Sequence, residues 1–184
     1  MKPGKIVYKG KTKKGKAYVV RYPLLEDLEQ LLNYFNNISK EQTFIRYQGE
    51  QLTLSEEKKY LESLLEKIEK KEAVKLFAFY QNQLIALADI KLLDKTSNHV
   101  GVFGITVNIQ FRGEGIGKTL MNLVIEEAKK NIPKLKIITL GVFANNPVAC
   151  SIYSNMGFTK YGKLPKGILH KKKYVDHIFM YKNI

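Results

Sequence analysis

A chain of 184 residues, 45% of them apolar, can bury one core and needs no second domain. The only cysteine, Cys150, excludes an intrachain disulfide framework, and no run approaches the roughly 18 apolar residues of a membrane span. The net charge of +14 is local: residues 1–16 hold seven lysines and residues 160–173 hold six, with no acid in either stretch, while the other 154 residues hold 18 basic and 17 acidic side chains.

A near-neutral body excludes a fold that is basic throughout. The two lysine ribbons read as solubilising edges or as a local surface for something acidic. The apolar stretch from Ala17 to Val20 is too short for a signal-peptide core, so a cytoplasmic protein with no membrane partner is expected.

Residues 1–15 read as a basic extension carrying one hairpin strand, ahead of a single domain over 16–184. The hairpin pairs Lys5–Tyr8 with Lys16–Tyr22 around the polar turn 10–15, and Pro23 closes it. Leu24, Leu25, Leu28, Leu31, Leu32 and Phe35 recur at helical spacing, which predicts a helix over 24–37. Ser55-Glu-Glu supplies an N-cap and first-turn acids for a second helix that ends near Lys71. The period then changes: Val74–Tyr80 and Leu84–Leu93 form a hairpin, and Val100–Val107 a further strand. A helix over Gly115–Asn131, an apolar strand Lys136–Val142, a helix opening at Asn145-Asn-Pro147 and ending at Gly157, and strands Lys160–Leu169 and Tyr174–Tyr181 complete the chain.

The most informative stretch runs from Ile105 to Lys118, a strand entering a glycine-rich turn that opens a helix. Gly113, Gly115 and Gly117 permit backbone conformations closed to other residues. The first amides of the helix lack intrahelical partners and sit at the positive end of its dipole, an arrangement suited to phosphate. Lys118 adds charge at the same place. The spacing matches neither G-x-G-x-x-G nor G-x-x-x-x-G-K-[ST], so neither a dinucleotide fold nor a Walker loop is indicated.

Arg112-x-x-Gly115-x-Gly117, followed by Asn146-x6-Tyr153-x3-Gly157-Phe158, resembles the GNAT superfamily of acyl-CoA-dependent N-acetyltransferases, and the resemblance extends from Lys16 to Tyr181. It implies a three-layer α+β fold: a mixed, mostly antiparallel central sheet of about seven strands flanked by four helices. It implies acetyl-CoA as cosubstrate, with no metal. Backbone groups of Ile105, Thr106 and Val107 would meet the pantetheine arm. Amides of Arg112, Gly113, Glu114, Gly115, Ile116, Gly117 and Lys118 would hold the pyrophosphate. Asn146 would hydrogen-bond the pantetheine, and Tyr153, on the same helix face, would act as general acid toward the leaving thiolate. Cys150 has no neighbouring histidine in sequence and reads as a small packing residue.

Ribosomal-protein N-terminal acetyltransferases of this superfamily carry a glutamate base at the position aligned with Gly141, and no carboxylate occurs here between Glu127 and Asp176. Asp89, His99, Asp176 or water are the alternatives. An α-amine with a pKa near 8 is about a tenth neutral at pH 7, whereas a lysine amine is neutral in only about one molecule in a few thousand. A missing base therefore favours an α-amino acceptor on an amino acid or peptide, and Arg46 in the loop 44–47 would suit one bearing a carboxylate. The reading is an N-acetyltransferase acting on a small-molecule or peptide amine, as a monomer or homodimer. The other reading is a CoA-binding or nucleic-acid-associated protein that keeps the fold without catalysis.

Overall fold

Every residue from Ala73 to Phe79 is buried, a run that belongs to a strand covered on both faces. The computed structural model describes residues 1–184 and places this strand, β3 (Ala73–Tyr80), inside one sheet of eight strands. The others are β1 (Ile6–Lys11), β2 (Ala17–Arg21), β4 (Gln83–Leu92), β5 (Val100–Val107), β6 (Ile137–Phe143), β7 (Thr159–His170) and β8 (Lys173–Asn183). Their spatial order is β1-β2-β3-β4-β5-β6-β8-β7, and every neighbouring pair is antiparallel except β5 with β6. The expected count of about seven falls one short, because β1 pairs with β2 and extends the sheet at its edge.

Four helices complete three layers: α1 (Leu28–Lys40), α2 (Leu54–Glu69), α3 (Ile116–Asn131) and α4 (Pro147–Asn155). Alternation along β5 separates the faces. The Thr106 hydroxyl meets the Tyr34 hydroxyl of α1 at 3.0 Å, while Ile105 and Val107 lie under Gly117 of α3. Thus α1 and α2 cover one face, and α3 covers the other. Leu31, Leu61, Leu120 and Val124 carry the helix stripes into a shared core with Phe77, Ile85 and Ile90. Each such aliphatic side chain contributes roughly 2 kcal/mol on burial.

Local chemistry moved several boundaries. The first hairpin turn is shorter than expected because the Thr12 hydroxyl accepts from the amides of Lys14 and Lys16, so β1 runs on to Lys11. The N-cap of α2 is Thr53, not Ser55: Thr53 accepts from the Glu56 amide and the Glu56 carboxylate accepts from the Thr53 amide, a capping box worth about 1 kcal/mol. A short 3₁₀ turn, Leu25–Asp27, precedes α1, and Asp27 holds Arg21 at 2.6 Å.

Lys75 is a charged residue inside the core. Its ammonium donates to the Tyr60 hydroxyl at 2.8 Å and to Asp89 at 3.1 Å. Burial opposes its charge, but Asp89 and Tyr60 outweigh burial and raise its pKa above the ordinary lysine value. Removing Asp89 leaves a buried cation with one neutral partner. Asp89→Ala is therefore expected to lower the unfolding free energy in urea by about 3 kcal/mol; a loss within error of zero would show that the ammonium reaches water. The β7–β8 turn places Lys171 and Lys172 at φ +50° and +62°, a conformation that glycine adopts without strain. Lys172→Gly should raise the melting temperature by about 2–4 °C, the equivalent of about 1 kcal/mol in a chain of this size.

Candidate active site

Strands β5 and β6 pair only at Val100↔Ile137, Gly101↔Ile138 and Val102↔Thr139. Beyond Val102, β5 pairs with β4 alone, and beyond Thr139, β6 pairs with β8 alone. The sheet opens between them like a V. The edge of β5 from Phe103 to Val107 therefore presents backbone groups with no strand partner, the usual requirement for binding an extended chain by main-chain hydrogen bonds.

The glycine turn follows directly. Gly113 and Gly115 have φ of +77° and +90°, and Gly115 is the N-cap of α3 with no side-chain bond to the helix amides. The opening amides of α3 are thus left for an outside acceptor. Gly117, unlike the other two, has an ordinary helical backbone, and a Cβ there would make only a normal contact with Val107 at 3.7 Å. The Arg112 guanidinium donates to the Val107 carbonyl at 2.9 Å and also meets the Glu41 carboxylate. A carbonyl has a second lone pair, so Val107 can still accept from a ligand.

Glu114 behaves differently from its neighbours in the motif. Its side chain is buried beneath the first hairpin, with Lys14 and Lys16 at 3.5 and 3.8 Å, and its carbonyl accepts from the Lys13 amide. The Thr12 hydroxyl, followed by these lysines, holds its carboxyl below the ordinary range. The Glu114 carboxylate therefore anchors the lysine-rich hairpin turn onto the glycine loop. The side chain of Lys13 passes 4.0 Å from where a Gly115 Cβ would stand. This lysine was not singled out from the sequence, where only its place in a charge run is visible.

Asn146 is the N-cap of α4, its side-chain oxygen accepting from the Ala149 amide at 3.1 Å, which leaves its NH₂ group as donor. Tyr153 packs edge-on against Phe103 at 6.0 Å and tilted on Phe158 at 6.1 Å. Burial, with a smaller part from Cys150, pushes the Tyr153 phenol up to about 12. Burial also raises the Cys150 thiol, which leaves it a poor nucleophile, in keeping with a packing role.

Ile105, Thr106, Val107, Arg112, Gly113, Gly117, Asn146 and Tyr153 line one cleft of about 410 Å³, together with Thr43, Phe44 and Ile45 from the α1–α2 loop. Ile116 is buried at the start of α3, and Lys118 is exposed on its first turn; neither lines the cleft. Phe44 is clamped between Phe143 and His170, at 5.9 and 5.0 Å, which ties the loop to the open arm of the sheet. Arg46 is exposed and lies outside the cleft lining.

The alternative bases lie at three places. The His99 carbonyl accepts from Lys136 and Ile137 at the closed end of the β5–β6 pair, away from the opening. Asp176 is held by Lys163 at 2.8 Å and by the Lys166 amide at 3.0 Å, and the Lys163 ammonium is the main cause of its lowered pKa. Asp89 faces Gly104 on the open arm of β5, its Oδ1 3.6 Å from where a Cβ would stand. On the other arm, the space beside Gly141 is filled by the ring of His177.

The comparisons with known proteins agree with this geometry. L-amino acid N-acetyltransferase AaaT of Escherichia coli (strain K12) is 34% identical over 83 residues; the match covers 45% of this chain and spans about half of that relative, 51% of its length. An acetyltransferase of the GNAT family from Streptococcus pneumoniae has the same fold, with a TM-score of 0.83 at 23% identity over 91% of this chain and 99% of that one. So does yncA from Salmonella typhimurium, solved with its cofactor acetyl-CoA: its TM-score is 0.77 at 14% identity, over 90% of this chain and 93% of that one. The acetyltransferase (GNAT) family model matches residues 33–158, and the chain belongs to that family.

Proposed function

We propose that this protein is an N-acetyltransferase that moves the acetyl group of acetyl-CoA to the α-amino group of an amino acid or peptide. The observation that carries the reading is the V between β5 and β6, set beside an uncapped, glycine-rich helix N-terminus within one cleft. An extended arm with a phosphate tail fits that pair of features: the arm meets the unpaired edge 103–107, and the phosphates meet the amides of 113–118. Lys13 and Lys118 add charge beside the tail. The relative that acts on L-amino acids supports an α-amino acceptor, and so does the argument that a weakly basic amine is the easier nucleophile.

The chemistry asks two things of the chain. As the amine attacks, the carbon–sulfur bond must release a thiolate. Burial holds the Tyr153 phenol up at about 12, so complete transfer of its proton to the departing thiolate is uphill. Tyr153 therefore serves as a hydrogen-bond donor that stabilises charge developing on sulfur, and is never a full proton source in the ground state. The dry aromatic seat formed by Phe103 and Phe158 fixes the direction of its hydroxyl.

A thiol-release assay with acetyl-CoA and a panel of amino acids and short peptides tests the activity, and release that never depends on an added amine would contradict it. Tyr153→Phe keeps the ring contacts, so the fold and the affinity for acetyl-CoA should stay unchanged while kcat falls about 100-fold; an unaltered kcat would remove Tyr153 from the reaction. Lys13→Gln should weaken acetyl-CoA by no more than about fivefold and flatten the dependence of Kd on salt, as expected for one exposed charge contact. Calorimetry at two salt concentrations reads both.

A further inference from the structure

Gly141 lies on the open arm of the V, two residues past the last pair with β5. It is not left as an empty notch. A Cβ built on Gly141 would stand 2.2 Å from Nε2 of His177 and 2.9 Å from its Cε1, so the imidazole occupies the room that a side chain at position 141 would fill. The register explains how it gets there. Phe143 pairs with His177 and Gly141 with Phe179, so all four share one sheet face, and the His177 ring leans diagonally along β8 onto the glycine.

That face belongs to the acceptor side. Phe143 is covered by Phe44 of the α1–α2 loop, which lines the cleft, and Gly104 stands across the opening from Gly141. The ring lies tilted on Phe179, 4.3 Å between centroids, half-buried just outside the residues that line the cleft. We propose that His177 is the general base of the acetyl transfer, delivered from β8 through the space that Gly141 leaves open; this rests on the acetyltransferase reading above.

In the step, Nε2 of His177 takes one proton from the α-ammonium, the freed lone pair forms the bond to the thioester carbon, and the second proton that the nitrogen loses goes to solvent. The carbon–sulfur bond then breaks with its electron pair on sulfur, held by the Tyr153 hydroxyl. The thiolate is protonated by solvent, and His177 returns its proton to solvent. Burial lowers the imidazole pKa below its usual value, so it enters neutral at pH 7. Few charges face it. On β6 the facing positions Thr139, Gly141 and Phe143 are not titratable, and on β7 the residues against it are Leu164 and Gly167. On β8 itself Tyr181 shares the face two positions beyond Phe179. The Asp176–Lys163 pair falls on the opposite face by alternation, while His170 lies behind Phe143 and Asp89 stands over Gly104 on the far arm, held by Lys75.

The test compares kcat/KM against pH for the full-length protein, His177→Gln, His177→Ala, Gly141→Glu and the pair Gly141→Glu/His177→Ala, using acetyl-CoA and the best α-amine found. The wild-type acid limb should follow the histidine, below pH 6.5. In His177→Gln, kcat/KM at pH 7 should fall about 100-fold, with unchanged acetyl-CoA binding and melting temperature. The acid limb should shift to the pKa of the amine, so that the deficit closes as pH rises. Gly141→Glu alone should be inactive because its side chain meets the imidazole, whereas the double variant, with a carboxylate in the vacated space, should exceed His177→Ala about tenfold. An acid limb unmoved in a folded His177→Gln, or a double variant no better than His177→Ala, would overturn the base role while leaving acetyl transfer intact. A wild type that acetylates no amine would overturn both.

Discussion

The functional geometry depends on one interruption of hydrogen bonding. β5 and β6 are the only parallel neighbours in the sheet, and they part after Val102 and Thr139. A sheet that stayed zipped would satisfy its own backbone and offer nothing to a ligand. Parting exposes the edge 103–107 and opens a passage from the α3 and α4 face to the α1 and α2 face. The two reactants of the proposed transfer can then come from opposite layers and meet between strands.

Much of the remaining structure keeps that opening rigid. Each arm is braced on its outer side: β5 by seven register pairs with β4, and β6 by seven with β8. Tyr34 ties the tip of β5 to α1, and Phe44 with His170 ties the tip of β6 to the α1–α2 loop. Charge is placed with similar economy. The buried Glu114 draws the lysines of the first hairpin against the glycine turn, so part of the N-terminal lysine ribbon has a definite structural position beside the cleft. Lys75 and Asp89 put a neutralised pair next to Gly104, where a lone carboxylate would strongly attract cations.

The sequence made the local elements plain where one residue type dictates one conformation. Gly115 and Gly117 marked the start of α3, Pro147 and Gly157 bracketed α4, and Asn146 with Tyr153 could be placed on one helix face by spacing alone. Other features depended on choices between near-equivalent signals or on pairing across the sheet. Ser55-Glu-Glu imitates the cap that Thr53 and Glu56 make. Glu114 is buried because of a hairpin a hundred residues earlier in the chain. The space beside Gly141 reads as a deficit along its own strand, and only the β6–β8 register shows that His177 fills it. Arg46 looked suited to an acceptor because of its loop, but the loop turns Phe44 and Ile45 to the cleft instead.

The most direct test of this account is a crystal structure of the protein with CoA bound. The account predicts the pantetheine along residues 103–107, the pyrophosphate on the amides of 113–118 near Lys13, and the thiol beside Tyr153 in the opening between Gly104 and Gly141. A CoA molecule lying elsewhere, with the β5 edge unoccupied or closed by re-pairing to β6, would contradict it.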